Sequence, residues 1–289
     1  MFKRLLVPLD ETPQALAALQ VAQAIGDATG GTITVVHFVA PGAPVDPAAP
    51  AGAAASASDV PVETLIRTVP TVSSVPAEIV ATACERHAEL VVMAAHARHG
   101  LARLRAGSMT EDVLAHCPIP VILVGPAAAA TPAPHPLSPL LVLVDGSAAS
   151  AATIDLAADF AAATGTELFL LRVIVPAPAE DQVSGDGAHL AVVYDRQALA
   201  DAQHYVQAVS EDLQQRGFVA QGRAIFGPLA ETILTVADQL DAGLIVMSTH
   251  ALTGPARDIL GSVAGAVVRE TPRPILLLRR RVAAGLRQR

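Results

Sequence analysis

The chain has no tryptophan, a single lysine (Lys3) and two cysteines among its 289 residues. With no other lysine available, a Walker-type phosphate loop is excluded, because that loop needs a lysine directly after its glycines. Cys84 and Cys117 cannot make a disulfide framework and stand in no metal-type spacing. Both fall in Ala-rich helical surroundings, where a small buried hydrophobe fits. Aromatic residues are only 3%, so the core must be built from Ala, Val, Leu and Ile. That suits parallel sheets, whose strands are covered on both faces and read as aliphatic runs. No apolar run reaches the ~18–20 residues of a membrane span. Nor does a leader pattern open the chain, since Met1-Phe2-Lys3-Arg4 runs straight into a strand. A soluble, cytoplasmic protein is expected.

What is present is aliphatic and mildly acidic. Hydrophobic residues make up 52%, charged residues 16%, and the formal net charge is −8. This balance opposes disorder, and the negative charge opposes nucleic acid or an anionic membrane as general partner. Arg279, Arg280, Arg281, Arg287 and Arg289 form a local exception, read as a solvated basic tail over 281–289.

Self-similarity decides the architecture. Leu5-Leu6-Val7-Pro8-Leu9-Asp10 is echoed by Leu140-Leu141-Val142-Leu143-Val144-Asp145. Each is followed by an Ala-rich helical stretch ending at glycine, Gly30-Gly31 or Gly165, and then by a strand pattern over 32–39 or 167–175. Further on, Leu90-Val91-Val92-Met93 matches Leu244-Ile245-Val246-Met247, Gly107-Ser108 matches Gly261-Ser262, and Pro118-Ile119-Pro120 matches Pro272-Arg273-Pro274. The common order marks a duplication. It divides the chain into a first unit over 1–126, a Pro/Ala-rich linker over 127–138 and a second unit over 139–280. Repeat 2 has a helical pattern from about Val192 to Gly217, with Ala198, Ala202, Tyr205, Val206, Val209 and Leu213 at helical spacing. Residues 41–60 of repeat 1 are rich in Ala, Pro and Gly and read as a loop, so one helix is missing there.

Each repeat alternates strand and helix, which implies right-handed crossovers and a five-stranded parallel sheet flanked by helices. The fold class is therefore α/β, two tandem Rossmann-like units, each wound around its own sheet. Thr12-Pro13 and Gly146-Ser147 mark helix starts, and Ser108-Met109-Thr110-Glu111 has the capping-box pattern. Pro118 and Pro120, like Pro272 and Pro274, end a helix and lead into the last strand. A helix over 75–87 carries Ile79, Val80 and Ala83 towards the sheet, with Cys84 and His87 structural.

In such sheets ligands bind beyond the carboxyl ends of the strands, where strand order reverses. Asp10 and Asp145 follow the first strand of each repeat, and His96 and His250 follow the fourth. Gly107-Ser108 and Gly261-Ser262 come next, at a helix N-terminus whose free N–H groups suit an anion. Each residue taken singly has a structural reading: Asp10 as a turn cap, Gly-Ser as an ordinary helix start, the histidines as loop hydrogen-bonding groups. Their co-location favours a nucleotide, with a carboxylate for ribose or base and amides plus hydroxyl for phosphate.

The strand ending in Asp145-Gly146-Ser147, the segment Leu244–His250, Gly261-Ser262-Val263 and the closing Pro274-Ile275-Leu276-Leu277-Leu278 together resemble universal stress protein domains in tandem. The resemblance covers nearly the whole chain. It implies an adenine-nucleotide fold and a cofactor of the ATP or AMP type. The binding set would be Asp145, Gly146, Val173, Met247, Ser248, His250, Ala251, Gly261, Ser262 and Val263 in repeat 2, with Asp10, His96, Gly107 and Ser108 in repeat 1. ATP-binding members carry a loop of Gly, two residues, Gly, nine residues, Gly, then Ser or Thr. Here Ala94, Ala97, Gly107 and Ser108 hold those positions in repeat 1, and Ser248, Ala251, Gly261 and Ser262 in repeat 2. The first two glycines are absent from both. Alanine at a position needing positive φ costs about 1–2 kcal/mol, on the order of tenfold in affinity.

Repeat 2 is the better candidate, since its second helix is intact. Three functions compete. The first is a non-enzymatic stress-response protein binding a small ligand or partner, its last strands Val121–Val124 and Ile275–Leu278 side by side as an internal pseudo-dimer, with homodimerisation beyond that. The second is an adenine-nucleotide binder with at most slow hydrolysis. A phosphoryl receiver or ATP pyrophosphatase is disfavoured: neither repeat has an acceptor Asp after its third strand or a Gly-rich Ser loop after its first. No metal or nucleic acid is expected.

Overall fold

A computed structural model of the chain describes residues 1–10, 12–42, 58–95, 108–129, 135–175, 186–249 and 260–279. Repeat 1 comprises β1 (Arg4–Pro8), α1 (Pro13–Thr29), β2 (Thr32–Val39), β3 (Val62–Thr68), α2 (Val75–Glu85), β4 (Leu90–Ala94), α3 (Ser108–His116) and β5 (Val121–Val124). Repeat 2 comprises β6 (Leu140–Leu143), α4 (Ala148–Thr164), β7 (Leu168–Ile174), α5 (Asp186–Gln215), β8 (Ala220–Phe226), α6 (Leu229–Gln239), β9 (Leu244–Thr249), α7 (Gly261–Glu270) and β10 (Ile275–Arg279). The expected helix starts are borne out chemically. The Thr12 side chain accepts the N–H of Ala15 ahead of Pro13, and that of Ser147 accepts the N–H of Ser150. Each satisfies one of the orphan donors of a first helical turn.

The strands hydrogen-bond in the order β3-β2-β1-β4-β5-β10-β9-β6-β7-β8. Within each repeat every pairing is parallel, and the switch in strand order falls between β1 and β4, and again between β6 and β9. The repeats do not wind around separate sheets. β5 and β10 pair antiparallel, Leu123 opposite Ile275 and Ile122 opposite Leu276, and fuse the two into one sheet of ten strands. Reason lies in the unpaired N–H and C=O row that each last strand would otherwise expose; mutual pairing removes both edges. Antiparallel pairing also points the strands of the two repeats in opposite directions, so their carboxyl ends lie at opposite ends of the sheet.

Side-chain alternation sorts the core into two layers, each drawn from both repeats. Leu5, Val7, Leu140, Val142 and Phe160 lie in one; Leu6, Val91, Leu141 and Ile245 lie in the other. Helices α1 and α4 pack against each other on the first face, where the rings of Phe2 and Phe160 meet at 5.3 Å across the repeats. Each such fully buried side chain contributes about 1.5–3 kcal/mol. The two repeats thus share both core layers.

Three local expectations are corrected. Residues after β5 are not a plain spacer: Pro126–Ala129 forms a 3-10 turn that packs against α1 and α7. Helix α5 begins at Asp186 rather than near Val192, although Ala202, Val206 and Leu213 are fully buried as their spacing requires. Cys117 is buried, but Cys84 is exposed on α2 rather than packed inside. The loop proposed within 41–60 falls mostly on 43–57, and Arg280, Arg281, Arg287 and Arg289 on the chain end; these lie outside the described residues. Among the described residues no helix is long and apolar enough to cross a membrane.

Repeat 2 has a tether with no counterpart in repeat 1. Arg273, its side chain only 6% exposed, donates to the Ala242 carbonyl at 2.6 Å and to Asp238 at 2.5 Å. The matching position in repeat 1 is Ile119. The charge is tolerated in so buried a place because its donors find partners.

Gly125 ends β5 where a Cβ would stand 2.0 Å from the Val268 carbonyl oxygen of α7. The backbone of one repeat must approach the other here without a side chain between. We therefore expect Gly125→Val to destabilise the chain by about 1–3 kcal/mol, as overpacking does; an unchanged urea midpoint would contradict the contact. Burial pushes the Cys117 thiol from its ordinary 9.0 to about 11. The folded chain thus retains this proton where the unfolded chain loses it, so the contribution to stability is intact below pH 9 and falls away through about pH 11. At pH 8 a thiol reagent should label Cys84 alone in the native chain and both cysteines in urea; rapid native labelling of Cys117 would refute the burial.

Candidate functional site

At the carboxyl end of β6, the Val144 N–H bonds to the Leu171 carbonyl of β7, and the chain then turns into α4 through Asp145-Gly146-Ser147. All three are exposed. The Asp145 carboxylate accepts the Ser147 N–H at 2.8 Å, and the Asp145 N–H donates to the Ser150 hydroxyl at 3.1 Å. Asp10 does the same in repeat 1, accepting the Thr12 N–H at 3.0 Å and the Thr12 hydroxyl. Both aspartates are therefore turn-forming in the way short acidic side chains favour. This geometry also fixes each carboxylate at the mouth of the strand-order switch.

The neighbouring strand brings the second group of residues. Met247 is buried and Ser248 half-buried in β9, with Ser248 opposite Leu278 of β10. Val173, half-buried near the end of β7, packs against the core layer that holds Met247. Helix α7 starts on the same side of the sheet. Its N-cap is Leu260, which provides no side-chain hydrogen bond. Gly261 has φ +65°, and nothing lies within 4 Å of where a Cβ would be. Ser262 is exposed and Val263 half-buried. The side chains of Thr12 and Ser147 cap the first turns of α1 and α4, whereas the N-cap Leu260 gives α7 no such hydrogen bond; a helix N-terminus left without a side-chain cap suits an anion.

The structure also bears on the missing glycines. Ala94 and Ser248 sit inside β4 and β9, and neither has positive φ; among the described non-glycine residues only Phe2, His87 and Asp241 do. The first glycine of the family loop is therefore replaced without backbone strain in either repeat. Ala97 and Ala251, at the second glycine position, lie outside the described residues, as do His96, Gly107 and His250. Ser108 is the first residue of α3.

One residue stands at the repeat 2 site that the sequence-based set does not contain. Arg172 of β7 is half-buried, and its guanidinium lies 5.2 Å from the centre of the Tyr205 ring of α5. Its Nη1 lies 3.7 Å from the Cβ position of Gly146. The signal in the sequence was an arginine interrupting the aliphatic run of β7. Elsewhere, Arg223, Phe226, Glu231 and Gln239 line a cavity of about 530 Å³ along β8 and α6, which holds none of the expected residues. Among the described residues no group of three His, Cys, Asp or Glu side chains is placed to hold a metal.

Comparison with known proteins agrees with this layout. The sequence pattern of the universal stress protein family matches residues 1–125 and again 137–279. Universal stress protein MJ0577 of Methanocaldococcus jannaschii is 25% identical over 81 residues, 28% of this chain and 50% of that relative. The chain thus matches about half the length of this relative. Among solved structures, a functionally unknown protein, PA1789 of Pseudomonas aeruginosa PAO1, shares the fold with a TM-score of 0.66 at 18% identity, over 99% of this chain and 96% of its own. A universal stress protein of Archaeoglobus fulgidus DSM 4304 does so with a TM-score of 0.62 at 17% identity, over 96% of both chains. Matched through both repeats and built on this fold, the chain belongs to the universal stress protein family.

Proposed function

We propose that this chain is a non-enzymatic stress-response protein of the cytoplasm whose second repeat binds a small phosphorylated ligand, an adenine nucleotide such as ATP or AMP being the type its groups suit. The observation that carries this reading is the start of α7. A ten-residue helix opens there without a side-chain cap, on a glycine at φ +65° where a Cβ would meet nothing within 4 Å, with an exposed Ser262 beside it. A phosphate accepts hydrogen bonds from such amides and is favoured by the positive end of the helix dipole. In this reading Asp145, across the strand-order switch, serves a ribose hydroxyl or an exocyclic amine. Between them Met247 and Val173 supply apolar contact of the kind that ligand sites use around a few polar groups.

Turnover has no support. Rapid hydrolysis needs a base and an electrophile arranged about the scissile phosphate, and the described residues of the site offer one carboxylate already engaged with the Ser147 N–H. Repeat 1 serves in this reading as the structural partner, joined through β5 and β10. No first-strand Gly matches Gly146 there; Glu11 takes that place.

Isothermal titration of the full chain with ATP and AMP tests the proposal. Saturable binding is expected, weakened by about tenfold or more in Asp145→Ala, as the loss of one charge-assisted hydrogen bond implies, and abolished by Ser262→Phe, which fills the space before α7. A flat titration at millimolar ATP would remove the nucleotide reading.

A further inference from the structure

We propose that Arg172 is the residue by which repeat 2 selects a negatively charged ligand. Its guanidinium, seated against the Tyr205 ring beside the Asp145–Gly146 turn, receives an anionic group of the molecule held between β6 and α7. The inference rests on the ligand reading above and names the chemistry of that site.

Arg172 is a costly residue to place where it stands. β7 is otherwise Leu, Phe, Val and Ile, and Leu168 and Leu170, on the same face of the strand, are core residues. A half-buried guanidinium keeps five donors that need acceptors. Other described arginines find an oxygen partner for part of this need, although the Nε of Arg67 and of Arg86 is buried without one. Arg67 pairs with Glu85, Arg86 with Glu63, and Arg273 with Asp238. Arg223, which also lies over a ring, donates to Gln239. Arg172 has the Tyr205 ring below it and, among the described residues, no carboxylate or carbonyl partner. A ring face orients the guanidinium plane and leaves its edge, where the N–H groups point, available.

The platform is built rather than incidental. Tyr205 is brought over β7 by α5, and α5 approaches the sheet through a glycine. A Cβ at Gly222 of β8 would stand 2.8 Å from Val206, the neighbour of Tyr205, and 2.4 Å from the Leu170 carbonyl. Strand registers identify the matching positions in repeat 1. There Thr64 replaces Gly222 and His37 replaces Arg172. The glycine that admits the helix and the guanidinium occur together in repeat 2, and repeat 1 has neither residue at the matching places. The anion-selecting group therefore belongs to repeat 2 alone.

The test is calorimetry on the full chain with adenosine, AMP and ATP, at low and high salt, for wild type, Arg172→Gln, Arg172→Lys, Tyr205→Phe and Tyr205→Leu. Arg172→Gln should lower AMP and ATP affinity by about tenfold or more while leaving adenosine binding as in wild type, and should flatten the salt dependence. Arg172→Lys should fall between, keeping charge without the planar fork. Tyr205→Phe should match wild type, and Tyr205→Leu should lose part of the ATP affinity. Equal ATP binding by wild type and Arg172→Gln overturns the inference. So does an equal loss for adenosine and ATP, the mark of a merely structural role; melting midpoints report that role separately, and the Lys variant keeps the charge comparison if Gln unfolds the chain. Nucleotide binding that Asp145→Ala weakens and Arg172→Gln does not would sink this inference alone. A wild type that binds none of the three overturns the ligand reading and this inference together.

Discussion

The antiparallel pairing of β5 with β10 is the constraint from which the rest of the molecule follows. Three residue pairs, centred on Ile122 opposite Leu276, join two parallel sheets that would each otherwise end in an exposed aliphatic strand. Such strands are templates for uncontrolled pairing, and these two, Val-Ile-Leu-Val and Ile-Leu-Leu-Leu-Arg, have little charge to prevent it. Pairing them inside one chain makes the encounter intramolecular, with the effective concentration of a tethered partner. The junction then dictates neighbouring details. Gly125 must lack a side chain because α7 descends onto the end of β5. The 3-10 turn at Pro126–Ala129 is held between α1 and α7, and α1 and α4 are brought together on one face. Because the pairing is antiparallel, the carboxyl ends of the parallel strands in the two repeats face away from each other.

Much of this was legible in the sequence because it is written locally. The duplication is visible as repeated strings, the caps at Thr12 and Ser147 as hydroxyl residues before Ala-rich helices, and the buried strands as aliphatic runs. The partnership of the last strands was implied by the resemblance to family members that pair through them, and the two exposed edges fit that pairing. What escaped is non-local. A periodicity argument treats each repeat alone, so it gives two sheets where the edges in fact close into one. Cys84 lies in an apolar-looking helix, but the face it occupies is decided by the tilt of α2 on the sheet. Gly125 reads as an ordinary residue after the last strand of repeat 1 until the helix that presses on it, more than a hundred positions later, is in place. Arg172 reads as a stray charge in a strand until α5 places Tyr205 above it.

The glycine loop shows how a sequence pattern overstates a physical requirement. Two of its three glycines are absent from both repeats, which on steric grounds lowers the expected affinity. In the structure the first of these positions is the end of β4 or β9, extended in both repeats, where Ala94 and Ser248 sit without strain. The third position is different in kind. Gly261 has a left-handed backbone and opens α7, and there a Cβ would be resisted by the conformation itself. The glycine that remains is the one that the helix start needs.

Duplication gave two copies of one sheet end, and packing then made them unequal. A long helix can settle on the outer strands of repeat 2 because Gly222 admits it, and its ring makes a half-buried arginine tolerable at the pocket edge. Repeat 1 has Thr64 and His37 at these places and an acidic Glu11 where repeat 2 has Gly146. Reversing one of these differences would not make repeat 1 equivalent to repeat 2. A cation placed at His37 would be half-buried and would need acceptors or a ring of its own, at a cost in stability without them, and Thr64 carries a side chain where Gly222 leaves room for α5. The three positions depend on one another, so the asymmetry is held by steric and electrostatic coupling, and repeat 1 is left free to act as the rigid half of the sheet on which repeat 2 is built.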